Sequence, residues 1–128
     1  MIKLSVIIPT FKRVSPLSRA IRSALDIGDV EVIVVPNGDD LSWRKVQNEF
    51  ISDLRVQWYP ISIDNVSAAR NEGLKHANGT YVRFLDDDDF FYSSNCKKQL
   101  EDAIRKDVDI SSGWLNIISN NKITETRK

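Results

Sequence analysis

Tyr81-Val82-Arg83-Phe84-Leu85-Asp86-Asp87-Asp88-Asp89 joins a run of strand-forming side chains to four consecutive carboxylates. Aromatic and β-branched residues suit a pleated, half-buried surface, so Tyr81 to Leu85 is expected to be a strand and the acidic run its carboxyl end. Like charges on one short turn repel. Two unit charges about 4 Å apart at an effective dielectric of 20 cost about 4 kcal/mol. A single Asp is enough to cap a following helix. The surplus acids leave two readings, a solvated acidic turn or a site for a hard divalent cation such as Mg²⁺ or Mn²⁺. The cation prefers oxygen ligands and offsets the repulsion. Phe84-Leu85 before the run and Phe90-Phe91-Tyr92 after it leave little room for a loop surrounded only by water.

Outward from that strand, two periods alternate. Upstream, Asn65 to His76 reads as a helix, with Val66, Ala69, Gly73 and Ala77 on one face and Gly79 closing it. Leu4 to Ile8 is a short apolar run stopped by Pro9, the mark of a buried strand. Ser15 is the expected N-cap of the next helix, with Pro16 at its first position and Leu17, Ala20, Ile21, Ala24 and Leu25 along its buried side. Val30 to Val35 is a second strand, broken by Pro36-Asn37-Gly38. Trp43, Val46, Phe50 and Leu54 form a helical stripe capped by Asp39 or Asp40, and Val56 to Ile61 is a strand that Pro60 assigns to a sheet edge. Downstream, Ser94 to Lys106 is a helix carrying Cys96, Leu100, Ala103 and Ile104. Val108 to Ile118 holds one or two strands, with Asn120-Asn121 turning a closing hairpin. Strands alternating with helices of this length imply an α/β fold, Rossmann-like, with a mostly parallel central sheet and helices on both faces.

The composition is that of one domain. The chain has 128 residues, 41% of them hydrophobic, and its 18 Lys and Arg balance 18 Asp and Glu. Zero formal charge excludes a generally basic nucleic-acid binder and a polyacidic disordered chain. One cysteine, Cys96, excludes an internal disulfide framework and reads as a core thiol. No stretch approaches a membrane span or a secretory leader. The expected location is cytoplasmic, or peripheral at the inner face of the membrane. His76, the single histidine, reads as a surface residue. There is no zinc-ligand set, no Cys/His dyad, no GxxxxGK[ST] loop and no GxGxxG.

Parallel α/β sheets bind ligands beyond the carboxyl ends of their strands, where the winding reverses. The segments to search are therefore Pro9 to Arg13, Pro36 to Asp40 and Asp86 to Asp89. Phe11 has the shape to stack on a base, and Lys12 or Arg13 to meet a phosphate. Arg70 falls within two turns of its helix N-terminus, where the dipole disfavours a cation. Either an anion sits between Arg70 and the helix amides, or the arginine snorkels outward.

Four segments together resemble the family 2 glycosyltransferases of the GT-A fold: Ser5 to Arg13, Glu31 to Val35, Ser67 to Leu74 and Gly79 to Asp89. The order and spacing agree from Ser5 to about Ile118. The resemblance implies an inverting transferase that uses a nucleotide-diphosphate sugar, most often UDP-linked, with Mn²⁺ or Mg²⁺ at a DxD motif. Asp86-Asp87-Asp88 matches that motif. Asp88 is implied as the direct metal ligand, Asp86 or Asp87 as the group that holds the ribose or supports the metal, and Asp89 as the acid that often follows. Pro9, Thr10, Phe11 and Arg13 match the loop around the nucleotide, and Arg70 matches the arginine lining the donor site. Asn37 stands where the family has the acid that recognises uracil, and its amide can still accept one hydrogen bond.

The resemblance also implies that residues 1–128 are a single nucleotide-sugar-binding domain lacking the half that carries the acceptor site and the general base. No residue here matches that base. The implied partners are a UDP-sugar, a glycan or lipid-linked acceptor, and a completing polypeptide or a second copy of the chain. Two other functions compete with the transferase. A receiver-like phosphoacceptor domain would need acids after the first strand, which ends Pro9-Thr10 without one. A non-catalytic nucleotide-binding or self-associating module would keep the fold and lose the reaction.

Overall fold

The computed structural model describes residues 2–111 and the strands 115–119 and 122–127. The chain divides into two compact units, Met1–Lys97 and Lys98–Lys128. The first contains a parallel sheet of β1 (Leu4–Thr10), β2 (Val30–Pro36), β3 (Val56–Trp58) and β4 (Tyr81–Phe84), in the order β3-β2-β1-β4. Its helices are α1 (Ser15–Leu25), α2 (Trp43–Glu49), α3 (Val66–His76) and the start of α4 (Ser93–Lys106).

Register decides which helix covers which face. Ile7 pairs with Ile33 and Phe84, and Pro9 pairs with Val35. Alternation along a strand puts these side chains on one side of the sheet, where Ile7, Ile33 and Val35 pack with Ala69 of α3. On the other side Val34 pairs with Trp58, whose ring stacks on Trp43 of α2 with centroids 5.7 Å apart. Helix α1 packs against β2 and α2, with Leu17, Ala20, Ile21 and Ala24 fully buried. Ser23 then fastens the chain entering α4, since its hydroxyl accepts from Phe91 N at 3.0 Å and its carbonyl from Ser93 Oγ at 2.6 Å. The sheet thus has helices on both faces, as the alternating pattern implied.

Two glycines set spacing. A Cβ on Gly73 would lie 2.4 Å from Ile7 Cγ2, so a side chain there would push α3 off β1. A Cβ on Gly79 would lie 2.6 Å from Ser5 N. That close crossing of β1, and not a helix cap, is what Gly79 provides: α3 ends at His76 with Ala77 extended.

Other local expectations shift for identifiable reasons. Asp53 accepts from both the backbone and the side chain of Arg55, a turn that competes with helix. Accordingly α2 stops at Glu49, and Leu54 is 90% exposed instead of continuing its stripe. Ser15 lies inside α1, after an N-cap at Val14 that makes no side-chain bond. Asp40 serves α2 indirectly, accepting from Ser42 N and Oγ at 3.1 and 2.6 Å. Strand β3 lies at the sheet edge as Pro60 implied but ends at Trp58; Ile61 makes only an isolated bridge to Asn37. Pro9 falls within β1, where β4 has already left it. The last contact from β4 is Leu85 N to Ile7 O at 2.9 Å, so no ladder bond is lost at the proline.

The second unit holds the rest of α4 and an antiparallel pair, β5 (Leu115–Ser119) with β6 (Lys122–Arg127), whose register shifts between Ile117 and Ile118. Of the expected strand segment, residues 108–111 form no strand and β5 covers the residues from Leu115. The Asn120-Asn121 turn lies outside the described residues. No helix among the described residues is long and apolar enough to cross a membrane.

Candidate functional site

Strand β1 has β2 on one side and β4 on the other, so the winding reverses at the β1/β4 boundary. The β1–β4 pairing ends at Phe84, and in sheets of this kind such a boundary is where a ligand crevice forms. The acidic run forms the turn at its edge, closed by Asp89 N donating to Asp86 O at 3.0 Å.

The four aspartates are not equivalent. Carboxylate oxygens of Asp86, Asp88 and Asp89 all lie within 4.8 Å of one another, and all three residues are exposed. Asp87 turns the other way. Its Oδ2 accepts from Thr10 Oγ1 at 2.9 Å and from Phe11 N at 3.2 Å, and its Oδ1 lies 3.6 Å from Arg13 Nε. Burial raises the pKa of Asp89, and the neighbouring charges of Asp88 and Asp86 raise it further, against the pull of Arg19. Carboxylates crowded this way and held on one short turn fit a hard divalent cation, whose charge would relieve the repulsion.

Cations approach from three elements. Arg13, after β1, also reaches Asp88 Oδ2 at 3.8 Å. Arg70 of α3 places Nη2 3.2 Å from Asp86 Oδ1 with its guanidinium 5.9 Å above the Phe84 ring. Its Nε is a buried donor with no partner. Arg19 of α1 donates to Asp88 O at 3.1 Å and lies 4.5 Å above the Phe90 ring.

The loops complete the crevice. Thr10 is buried; Phe11 is half-buried, with its ring against Gly38, where a Cβ would come within 3.0 Å. Gly38 adopts φ +75°, a conformation that favours glycine. Lys12 has φ +53°, and its N–H donates to Asp40 Oδ2 at 2.7 Å. Burial alone would raise the pKa of Asp40, but bonds from Ser42 and Lys12 lower it overall. Asn37 is 2% exposed and its Nδ2 donates to Thr10 O at 3.1 Å, so its amide is built into the wall joining β1 to β2. Thus Thr10, Phe11, Arg13, Arg70, Asp86, Asp87 and Asp88 are gathered at one crevice, with Pro9 and Asn37 in its wall.

Two features escaped the sequence reading. Arg19 carries no local signal, because nothing in the chain shows that α1 passes beside the acidic turn. Glu31 did carry one, as a lone carboxylate inside a Val-rich buried strand. It is 1% exposed, and its Oε2 accepts from Ser5 Oγ and Asn78 N, both at 2.5 Å, while Oε1 accepts from Gln57 Nε2 at 3.3 Å. His76 is half-buried instead of free at the surface. It stacks on Tyr59 with centroids 3.6 Å apart and bonds Glu72 at 2.9 Å. Cys96 is buried as expected, and burial raises its thiol pKa against the nearby Arg83 charge. A cavity of about 570 Å³ beside α1 is lined in part by Glu49, which pairs with Arg22 and accepts from Ser18 Oγ.

These features define a doubly wound α/β domain whose acidic turn and attendant arginines gather at the β1/β4 switch point. The chain belongs to glycosyl transferase family 2, whose family model matches residues 5–128. It is 37% identical over 125 residues to the GalNAc(5)-diNAcBac-PP-undecaprenol beta-1,3-glucosyltransferase of Campylobacter jejuni, covering 94% of this chain and 38% of the relative. It is 28% identical over 123 residues to the Escherichia coli UDP-Glc:alpha-D-GlcNAc-diphosphoundecaprenol beta-1,3-glucosyltransferase WfgD, covering 94% of this chain and 48% of the relative. An uncharacterized glycosyltransferase of Rickettsia felis is 35% identical over 103 residues, covering 77% of this chain and 17% of the relative. The chain therefore spans less than half the length of these relatives. Among solved structures, Staphylococcus aureus TarS 1-349 in complex with UDP-GlcNAc has the same fold. Its TM-score is 0.71 at 24% identity, over 80% of this chain and 31% of that one.

Proposed function

We propose that the chain is the donor-binding part of an inverting glycosyltransferase that takes a UDP-linked sugar together with Mn²⁺ or Mg²⁺. The convergence of Asp86, Asp88 and Asp89 beside Arg70 and the loop after β1 carries this reading. Asp88 and Asp86, with Asp89, would hold the cation, which supplies electrostatic stabilisation of the leaving diphosphate when bound. Arg70 has an unsatisfied buried N–H beside the crevice, suited to a phosphate or carboxylate oxygen. The Phe11 ring offers a stacking face for the base, and Arg13 a second cation beside the diphosphate. Asn37, with its Nδ2 donated to Thr10, presents the amide oxygen as its remaining acceptor for a base.

The named relatives support the donor and acceptor classes. One is a UDP-Glc transferase, and both named enzymes act on undecaprenol diphosphate-linked glycans. We assign this chain a lipid-linked or free glycan acceptor. We assign the reaction to the inner face of the membrane. Titration calorimetry of UDP with and without Mn²⁺ tests the reading. UDP binding that requires Mn²⁺ and is lost in Asp88→Ala is expected, and no UDP binding in the presence of Mn²⁺ refutes it.

A further inference from the structure

Asp87 is the least exposed acid among the three ion-paired members of the run. Its side chain is 14% exposed, against 57% for Asp86 and 54% for Asp88. Both its oxygens are committed within the chain, Oδ2 to Thr10 Oγ1 and Phe11 N, and Oδ1 to Arg13. Where it sits explains why. The β1–β4 ladder ends at Leu85 N to Ile7 O, and beyond that point the end of β1 has no strand on its β4 side. The Asp87 carboxylate bridges the gap, supplying the acceptor that β4 no longer offers. Without it, the Phe11 N–H and the hydroxyl of buried Thr10 would lose their partner.

From this geometry we infer that Asp87 is a positioning residue: it locks the loop Thr10–Arg13 to the acidic turn and does not ligate the cation. The inference rests on the preceding reading, that Asp86, Asp88 and Asp89 hold a divalent ion. A cation taking Asp87 as ligand would have to displace Arg13 from Oδ1 and pull on a carboxylate whose Oδ2 already accepts two hydrogen bonds. With Asp87 as the lock, the loop that meets the nucleotide and the turn that carries the ligands keep a fixed spacing. Losing the lock should weaken nucleotide binding while sparing the ion.

The test compares Asp87→Asn, Asp87→Ala and Asp88→Asn in the whole chain. Mn²⁺ affinity is read from the electron paramagnetic resonance of free Mn²⁺, and UDP affinity by calorimetry at saturating Mn²⁺. Asp87→Asn and Asp87→Ala should each lower Mn²⁺ affinity by less than about tenfold, and Asp88→Asn by more than that. Asp87→Ala should lower UDP affinity by about tenfold or more, and Asp87→Asn, which keeps an acceptor for Thr10 and Phe11, should recover most of it. Mn²⁺ affinity falling as far in Asp87→Asn as in Asp88→Asn overturns the inference, as does undiminished UDP binding in Asp87→Ala. A metal-free arm stands apart from the ion site. The Tm loss of the Asp87→Ala, Thr10→Val double variant should match the larger single loss, and additive losses overturn the lock. If the wild-type chain binds no Mn²⁺, the proposed function falls and this arm alone decides the role of Asp87.

Discussion

Glu31→Gln separates the charge of the buried carboxylate from its shape. The wild-type group receives three hydrogen bonds, from Ser5, Asn78 and Gln57. Burial acts to raise its pKa, but these bonds outweigh burial and lower it overall. Bonds to a charged acceptor contribute about 1.5–3 kcal/mol, against about 0.5–1.5 for neutral pairs. In the variant the amide oxygen can keep Ser5 and Asn78, each at a loss of about 1 kcal/mol. The amide N–H₂ then faces Gln57 Nε2, another donor. A flip of Gln57 removes that clash, since Tyr59 Oη, which donates to Gln57 Oε1 at 2.8 Å, can instead accept from the side-chain amide. Relief of burying a charge offsets part of the loss at Ser5 and Asn78, leaving a destabilisation of about 1 kcal/mol near neutral pH. The sign with pH follows from the lowered pKa. The carboxylate's contribution is fully present above the unfolded value of about 4.3 and is lost as pH falls through the lower folded value. Gln does not titrate, so urea denaturation should show the two proteins converging on acidification. Equal stability at neutral pH, or a gap that persists through the acid range, refutes the assignment of Glu31 as the ionised clasp of this corner.

The glycine crossings give two further outcomes. Gly73→Ala brings a Cβ to 2.4 Å from the Ile7 side chain; overpacking of about 1–3 kcal/mol, less about 1 kcal/mol of helix propensity, should leave a net loss in urea denaturation. Gly79→Ala meets the backbone of β1 at 2.6 and 2.8 Å and cannot be relieved by a rotamer, so its loss should exceed that of Gly73→Ala in the same assay. Arg19→Met keeps the packing of a long stem on Phe90 but removes the donor to Asp88 O. Removing that positive charge from beside the crowded acids should tighten Mn²⁺ binding in the proposed site by severalfold with little change in Tm, and a weakened Mn²⁺ affinity would show instead that Arg19 acts as the brace of the turn.

The parallel sheet was legible because buried strands and amphipathic helices write different periods into the chain, and Leu4–Thr10 and Ser15–Leu25 follow theirs closely. Ends were less legible. Ser15 as a cap and Gly79 as a helix stop are sound local inferences, but α1 takes its N-cap one residue earlier, at Val14, and Gly79 answers a tertiary contact, lying against β1. The acidic run pointed to the site, but its sorting could not be read from four identical residues. Which acid turns inward depends on where β4 leaves β1, a property of the sheet. Arg19 and Arg70 show the same limit. Arg70 was conspicuous because it opposes its own helix dipole, whereas Arg19 reaches Asp88 only through the packing of α1 beside the turn.

That sorting also bears on why the net charge of zero, which excludes whole classes of partner, says nothing of the site. Three arginines, from the loop after β1, from α1 and from α3, attend the four aspartates at the switch point. They leave a deficit of one positive charge, four acids against three bases. In the proposed reading a divalent cation overshoots that deficit by one, and a bound diphosphate brings negative charge back to the crevice. Without the cation, a diphosphate of about two negative charges enters a site already short of positive charge; with the cation, it enters a site with one positive charge in surplus. Cation and nucleotide should therefore bind with positive coupling, and linkage makes that coupling reciprocal. UDP should tighten Mn²⁺ binding by the same factor by which Mn²⁺ tightens UDP binding. Titrating each ligand in the absence and presence of the other measures both factors. Independent binding would show that the arginines, and not the ion, carry the diphosphate.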